Sequence, residues 1–137
     1  MIGLLQRVSH AEVSVRGQTI GRIGRGLLVL VAVHRDDTPR DVERLAERLL
    51  TYRVFPDAEG RMNRSVQDES AGLLLVPQFT LAADTRKGTR ASFTKAAEPS
   101  TGAAYFDDLV AACRRQHDPV QTGEFGADMQ VSLVNDG

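Results

Sequence analysis

Short apolar and alternating segments predict strands in the first quarter of the chain. Four segments show this pattern, at residues 2–8, 12–16, 19–23 and 27–33. Val13 and Val15 fall on one face of the second segment, because side chains alternate along a strand. Gly17 and Gln18 are predicted to turn the chain toward the third segment. The fourth segment follows Gly26 as an unbroken apolar run, which is typical of a strand buried on both faces.

Two segments with apolar residues at helical spacing predict helices. The first has Thr38 as its N-cap, Pro39 at its first position and Asp41 in its first turn, each a residue favoured there. Its apolar face is formed by Val42, Leu45, Ala46, Leu49 and Leu50. The second helix is predicted over residues 101–116, with Ser100 as its N-cap. Its inner face is formed by Phe106, Leu109, Val110 and Cys113.

The second half of the chain adds two strands, and the complete pattern favours an α+β fold. Residues 72–79 are a second buried run, and a turn is predicted at 57–60. Residues 127–134 alternate, with one face formed by Ala127, Met129, Val131 and Leu133. No glycine-rich loop follows a strand, which argues against a doubly wound nucleotide fold. Because most connections are short, we predict mainly antiparallel sheets that form a barrel-like core with two packed helices.

Length and composition are those of an ordinary globular domain. The chain has 137 residues, 42% hydrophobic and 26% charged, and is predicted to form one domain over residues 1–137. Its formal net charge is -1, so any contact with a polyanion requires a local basic patch. Cys113 is the single cysteine, which excludes an intrachain disulfide and fits a reducing compartment. Neither a signal peptide nor a membrane span is predicted, and the expected location is the cytoplasm.

Neither a metal site nor a reactive cysteine is predicted. His10, His34 and His117 lie far apart, without the spacing of metal ligands. His34 follows a strand and is interpreted as a solvated strand end. Cys113 lies on the apolar face of a predicted helix without an evident activating partner, and it is interpreted as a small core residue.

A polar cluster follows the second buried strand. The apolar run 73–76 leads through Pro77 to Gln78, Phe79 and Thr80. Two interpretations stay open: either Phe79 packs in the core and Thr80 simply suits a strand, or the cluster forms a site at a strand end. The loop that follows carries the cations Arg86, Lys87 and Arg90. They are either solvated and partly paired with a nearby carboxylate, or they form a cationic rim suited to a large anionic substrate.

Five segments spread over the whole chain carry a resemblance to a known family. They are MIGLLQRVSHAEVSV (1–15), IGRGLLVLVAV (23–33), YRVFPDAEGRMN (52–63), QFTLAADTRKGTRASF (78–93) and QTGEFGADMQVSLVNDG (121–137). Together they resemble the D-aminoacyl-tRNA deacylases. Gln78-Phe79-Thr80 is similar to a signature usually written Ser-Gln-Phe-Thr, and Asn135-Asp136-Gly137 is similar to the start of an Asn-x-Gly-Pro-x-Thr segment. Each motif is short, but the two in order within a chain similar from end to end are specific.

The resemblance implies an enzyme and its mode of selection. It implies a cytoplasmic homodimer that hydrolyses the ester joining a D-amino acid to tRNA and also clears glycine mischarged on tRNA. The sites are expected at the dimer interface, without metal, organic cofactor or membrane. A Gly-Pro pair with a cis peptide is expected to project into the partner's pocket, where its main-chain atoms exclude an L side chain.

The resemblance also implies roles for individual residues. The expected catalytic residues are Thr80 and Phe79. The expected substrate-binding residues are Gln78, Phe79, Met129 and Gly137, although Met129 lies on the apolar face of the last strand and is either a core residue or a contact of the adenine. The residues expected to meet tRNA phosphates are Arg86, Lys87 and Arg90.

Two routes to hydrolysis remain open from the sequence. Thr80 carries a hydroxyl that could act as nucleophile, but the motif contains no histidine to serve as its base. Alternatively, water attacks with help from the ribose 2′-hydroxyl, and backbone N–H groups near Phe79 and Thr80 stabilise the oxyanion. Two other functions are kept as hypotheses: a tRNA-end-binding dimer without catalysis, and a hydrolase of small esters that uses Thr80.

The chain departs from the family pattern at two points. Position 77 is proline where the signature usually has serine, which removes a hydroxyl and a backbone N–H. The chain ends at Gly137, where a proline, a threonine and a short strand are expected to follow. The expectation is that a C-terminal tail is missing from the sequence.

Overall fold

The computed structural model describes all residues from Met1 to Gly137. Its strands are β1 (Ile2–Val15), β2 (Gln18–Ile23), β3 (Gly26–Ala32), β4 (Phe55–Pro56), β5 (Met62–Arg64), β6 (Gly72–Pro77), β7 (Val120–Thr122) and β8 (Met129–Asn135). Its helices are α1 (Pro39–Thr51), α2 (Pro99–Arg114) and a short 3-10 helix (Phe79–Ala82).

The first strand is longer than the sequence pattern predicts. Residues 2–8 and 12–15, predicted to lie in two separate strands, belong to the single 14-residue strand β1, and Arg16 of the second predicted strand lies outside it. β1 changes partners along its length, since its first half pairs with β3 and its second half with β2 and β8. The register with β8 shifts between Val8 and His10, as at a bulge. The polar residues at this change of partners interrupt the apolar pattern without ending the strand.

The turn between β1 and β2 lies one residue earlier than predicted. Arg16 and Gly17 form it, and both have positive φ, 50° and 77°. Such a pair is what a type I′ hairpin turn requires, because its twist matches that of the flanking strands. Val15 and Gln18 pair across the turn, so Gln18 belongs to β2.

The main sheet is mixed, with most of its strand pairs antiparallel. Its strand order is β2-β1-β3-β6-β7, with β8 paired to β1. The pairs made by β1 are antiparallel, whereas β3–β6 and β6–β7 are parallel. The predicted dominance of antiparallel pairing is confirmed, since three of the five pairings in this sheet are antiparallel, and the two parallel pairings made by β6 are the exception. The segments that contain α1 and α2 are long enough to return the chain to the same end of the sheet, as parallel neighbours require.

The sheet curls until its two edges nearly meet, which confirms the barrel-like core. β2 and β7 are the edges, and a Cβ placed on Gly21 of β2 would lie 2.7 Å from the carbonyl oxygen of Thr122 on β7. Only glycine permits so close an approach of two backbones. Inside the curl lies a cluster of seven buried side chains, which includes Val8, Leu28 and Leu74.

The larger part of the core, 18 buried residues, includes residues of the sheet and of both helices. The predicted face of α1 is confirmed, since Val42, Ala46, Leu49 and Leu50 are buried and Leu45 is partly buried. The predicted start of α1 is confirmed as well. The Asp41 carboxylate accepts hydrogen bonds from the Thr38 N–H at 2.8 Å and from the Thr38 hydroxyl at 2.9 Å. These bonds hold the pKa of Asp41 below its usual range.

The second helix begins slightly earlier than predicted. Its N-cap is Glu98 and its first residue is Pro99, so the prediction of Ser100 as N-cap is wrong. Proline suits the first helical position because its fixed φ is helical and its missing N–H would have no partner there. The predicted inner face is buried as expected. Cys113 belongs to this face, and burial raises the pKa of its thiol to about 12, which leaves no thiolate at neutral pH.

Two further predictions on strands need correction. The strand predicted over 72–79 ends at Pro77. On β8, Met129 and Leu133 pack against the inner cluster, but Val131 of the same predicted face is exposed. Neither helix combines the length and the apolar character that a membrane crossing requires.

Candidate active site

The polar cluster lies where β6 gives way to the 3-10 helix. The N–H of Gln78 still donates to Val31 on β3 at 2.7 Å. After Gln78 the chain coils, and Phe79 and Thr80 become exposed. The interpretation of Phe79 as a core residue is therefore wrong, because 53% of Phe79 is exposed. The cluster belongs to a solvent-facing turn at the end of a buried strand.

Pro77 ends β6 without breaking the ladder. N–H groups alternate between the two neighbours of β6, so that Gln78 donates to β3 and Leu73 donates to Pro119, just before β7. Position 77 faces the same side as Leu73. β7 ends at Thr122, which pairs with Leu75, so no residue of β7 lies opposite position 77. The missing N–H of proline consequently costs no sheet hydrogen bond.

The hydroxyl of Thr80 has one hydrogen-bond partner. The side-chain amide of Gln78 donates to it through Nε2. An amide N–H cannot take up a proton, so this arrangement orients the hydroxyl without activating it as a nucleophile. No histidine, carboxylate or lysine makes a hydrogen bond to Thr80.

Two backbone N–H groups at the same turn have no hydrogen-bond acceptor. The first N–H groups of a helix have no intrahelical acceptor. Apart from bonds within helices and strands, no backbone hydrogen bond has the N–H of Phe79 or Thr80 as its donor. These two groups can therefore donate to a charged oxygen that arrives from solvent.

A cleft with an aromatic wall lies beside the turn. The rings of Phe79 and Phe93 meet edge to face, with centroids 5.2 Å apart and planes at 67°. Although they touch, the two residues are 53% and 40% exposed. They line a cleft of about 440 Å³, whose other walls include Pro77, Pro99 and Phe125. Phe93 was not predicted as a site residue, because one phenylalanine in a polar loop gives no signal of its partner.

The basic loop after the turn is closed at its base by Asp84 and Ser92, which form an antiparallel bridge. Arg86 is paired with Asp84, and Lys95 lies 3.6 Å from the same carboxylate. The Arg86 guanidinium holds the pKa of Asp84 far below its usual range. The other two predicted cations, Lys87 and Arg90, are exposed and form no ion pair.

The remaining predicted site residues lie at different distances from the turn. A Cβ on Gly123 would lie 2.8 Å from the sulfur of Met129 and 3.4 Å from the Pro77 ring, which places Met129 close to the foot of the turn. Gly137 has a φ of 89° and adjoins Arg7. Arg7 donates to the carbonyl oxygens of Asp136 at 2.9 Å and Val54 at 2.7 Å. No hydrogen bond joins Gly137 to residues 78–80.

No group of three or more histidine, cysteine or acidic side chains has the geometry to hold a metal ion. The prediction of His34 as a solvated strand end is wrong in part, because its Nε2 is buried without a hydrogen-bond partner. The ring of His117 is hydrogen-bonded through Nε2 to the carbonyl oxygen of Ala71 at 2.7 Å.

Comparison with known proteins places the chain in a family. The model of D-Tyr-tRNA(Tyr) deacylase matches residues 4–137. The D-aminoacyl-tRNA deacylase of Methylococcus capsulatus is 63% identical over all of this chain and 90% of its own length. That of Alkalilimnicola ehrlichii is 61% identical over all of this chain and 91% of its own length.

Solved structures share the fold. One titled c-Myc DNA Unwinding Element Binding Protein superimposes with a TM-score of 0.93 at 34% identity, covering 98% of this chain and 91% of its own. A probable eukaryotic D-amino acid tRNA deacylase superimposes with a TM-score of 0.86 at 19% identity, covering 98% and 94% of the two chains. Fold, signature turn and sequence similarity agree over the whole length, and the chain belongs to the D-Tyr-tRNA(Tyr) deacylase family.

Proposed function

We infer that this chain hydrolyses the ester bond between a D-amino acid and the 3′ end of tRNA. The family match over residues 4–137 and relatives named for this reaction support the inference. The structural observation that carries it is the exposed turn at Phe79 and Thr80, where two backbone N–H groups lie beside a cleft. A donor pair of this kind suits the oxyanion that forms when an ester carbonyl is attacked.

We propose that water is the nucleophile and that the ribose 2′-hydroxyl of the terminal adenosine assists its attack. The Thr80 hydroxyl faces an amide donor and has no base, which supports substrate assistance over a covalent route. As the carbonyl oxygen gains charge, the N–H groups of Phe79 and Thr80 stabilise it. The 2′-hydroxyl takes the proton from water and passes its own proton to the 3′-oxygen as the bond between that oxygen and the carbonyl carbon breaks, so that the products are free amino acid and tRNA.

The cleft next to the turn receives the aminoacyl-adenosine end in this proposal. Gln78 and Phe79 border the reacting ester, and Met129 lies close to the foot of the turn, where it contacts the adenosine. The walls are mostly apolar, which suits a flat base freed from the tRNA stem. Gly137 belongs to the chiral screen, in which main-chain atoms occupy the space an L side chain would need. Such a screen lets glycine through, so glycine on tRNA is a second substrate in this proposal.

The basic loop is proposed to meet tRNA phosphates. Its three predicted cations differ in what they offer. Lys87 and Arg90 have no internal partner, whereas Arg86 is engaged with Asp84. Contacts of this type fix the position of an RNA without reading its sequence.

We further propose that the active form is a homodimer in the cytoplasm. Leu4 on β1 and Val134 on β8 are large apolar side chains that are 47% and 48% exposed. β8 pairs only with β1, so one of its edges is free. An exposed strand edge with apolar side chains is suited to pairing with another chain. A second copy brings its own Gly137 segment, as a chiral screen supplied by a partner requires.

The second candidate function is binding of the tRNA end without catalysis. One solved structure of this fold carries the name of a DNA-binding protein, which keeps a binding role open for the fold. Single-turnover hydrolysis with the chain in excess over D-aminoacyl-tRNA separates the candidates. An enzyme releases the amino acid faster than the uncatalysed background, whereas a binding protein shifts the tRNA in a binding assay and leaves the ester intact. Competition by small esters tests a broader esterase.

A further inference from the structure

We propose that Asp84 is a positioning residue, which keeps Arg86 and Lys95 in internal ion pairs and leaves Lys87 and Arg90 as the loop cations that meet phosphates. The assignment rests on the proposed action on tRNA and specifies which side chains of the basic loop take part.

The loop has a fixed base and a projecting tip. The Asp84 N–H donates to the Ser92 carbonyl oxygen at 2.7 Å, and the Ser92 N–H donates back at 3.0 Å. Residues 85–91 therefore form a hairpin, with Gly88 in it at a φ of 70°. Beyond the base, the Arg35 N–H donates to the carbonyl oxygen of Lys95 at 3.0 Å. This bond holds the segment that follows the hairpin next to the end of β3. The hairpin is held on both sides.

The carboxylate of Asp84 accepts its hydrogen bonds from a residue of its own loop. Its Oδ1 accepts from the backbone N–H of Arg86 at 3.1 Å and from Nε at 2.9 Å. Its Oδ2 accepts from Nε at 3.1 Å and from a terminal nitrogen of the same guanidinium. Lys95 Nζ lies 3.6 Å from Oδ2. The pairing is fork-like, and the side chain of Asp84 is 19% exposed whereas that of Arg86 is 80% exposed.

The tip cations are in a different position. Lys87 and Arg90 are exposed and form no ion pair. A phosphate that approaches the hairpin meets these two charges without having to displace a carboxylate. An approach to Arg86 or Lys95 must compete with Asp84, which carries the same sign of charge as the phosphate. The hairpin thus presents two uncompensated cations, although four are present in its sequence between residues 84 and 95.

Salt dependence of tRNA binding measures how many cations take part. Each phosphate contact contributes ~0.7 to 0.9 to the slope of log affinity against log salt. Binding of uncharged tRNA is measured by fluorescence anisotropy across a salt series, for the parent chain and single variants. Lys87→Gln and Arg90→Gln are each expected to lower the slope by one contact, and Arg86→Gln to leave it unchanged. Asp84→Asn is expected to steepen the slope, because Arg86 and Lys95 are released, and Asp84→Glu to restore the parent value.

A purely structural role of Asp84 would weaken binding without steepening the slope. Two released cations change the ratio of affinities at 50 and 200 mM salt by roughly tenfold. The assignment is overturned if Arg86→Gln lowers the slope as much as Lys87→Gln, a comparison that holds even when Asp84→Asn fails to fold. It is also overturned if folded Asp84→Asn keeps the parent slope. A parent chain that neither binds nor cleaves D-aminoacyl-tRNA overturns the proposed function. A parent chain that cleaves it while Arg86→Gln matches Lys87→Gln overturns this assignment alone.

Discussion

The side-chain amide of Gln78 donates a hydrogen bond to the hydroxyl of Thr80. The direction of this bond separates two mechanisms. A nucleophilic hydroxyl needs an acceptor that takes its proton, and the amide N–H is a donor. Gln78 therefore orients Thr80, and in the proposed mechanism water attacks with help from the substrate and the backbone N–H groups.

Replacing Thr80 is expected to slow the reaction without stopping it. Thr80→Ala removes one hydrogen bond, worth ~1 kcal/mol, so the deacylation rate is expected to fall by less than about tenfold. The measurement is single-turnover hydrolysis of D-aminoacyl-tRNA, with Thr80→Ser as the matched control. A folded Thr80→Ala variant with no turnover beside an active Thr80→Ser variant would restore Thr80 as the nucleophile.

Phe93 is expected to contribute to substrate binding. Its ring packs against Phe79 at 5.2 Å and shares the wall of the cleft. An aromatic contact of this kind contributes ~0.5 to 1.5 kcal/mol, so Phe93→Ala is expected to raise KM up to about tenfold with a smaller effect on kcat. Phe93→Tyr keeps the ring and serves as control. Unchanged KM in a folded Phe93→Ala variant would remove Phe93 from the site.

The close approach of β3 and β6 makes a strong prediction about stability. A Cβ on Gly26 would lie 2.0 Å from the carbonyl oxygen of Gly72, whereas a Cβ on Gly24 would meet nothing within 4 Å. Gly26→Ala is therefore expected to cost at least ~1 to 3 kcal/mol of unfolding free energy, and Gly24→Ala to change it by less than about 1 kcal/mol. Urea unfolding of both variants and of the parent chain measures these changes in unfolding free energy. Equal stabilities would mean that the two strands separate at little cost.

The buried thiol of Cys113 is expected to make the unfolding free energy depend on pH in the alkaline range. Burial raises the pKa of its thiol to about 12, while an unfolded thiol has a pKa of ~8.5. Below the unfolded pKa both states hold the proton and the thiol has no effect. Between the two pKa values only the unfolded state loses it, so the unfolding free energy falls with rising pH by up to ~1.4 kcal/mol per pH unit.

The control for this pH effect is Cys113→Ala. Its unfolding free energy is expected to fall less between pH 8 and pH 10, because it has no thiol to ionise in the unfolded state. Urea unfolding of both chains at pH 8 and pH 10 isolates the contribution of Cys113, because tyrosine and lysine titrate equally in both. An equal fall of the unfolding free energy in both proteins would contradict a contribution from Cys113.

Local signals in the sequence were sufficient for the existence of both helices and for the polar cluster that is proposed as the site. Thr38, Pro39 and Asp41 identify the start of α1, since a capping residue, a proline and an acidic side chain each stabilise a helix N-terminus. Gln78, Phe79 and Thr80 were identified as one polar cluster because they follow a buried run. The structure brings these three together in a single turn.

Long-range relationships were beyond the sequence pattern. The parallel pairing of β3 with β6 depends on where α1 returns the chain, which periodicity does not encode. The contact of Phe79 with Phe93 and the filled carboxylate of Asp84 depend on the path of a loop. The proline at position 77 was a concern for activity, but the end of β7 at Thr122 makes its missing N–H harmless to the sheet.

The most direct test of the central claim is the rate of deacylation of one tRNA charged with the D and the L form of the same amino acid. The purified chain is expected to cleave the D-ester well above the uncatalysed rate and to prefer it over the L-ester by about a hundredfold or more, which corresponds to ~2.7 kcal/mol between the two transition states. Equal rates for the two esters would contradict the chiral screen. No cleavage of either ester above background would contradict the assignment as a deacylase.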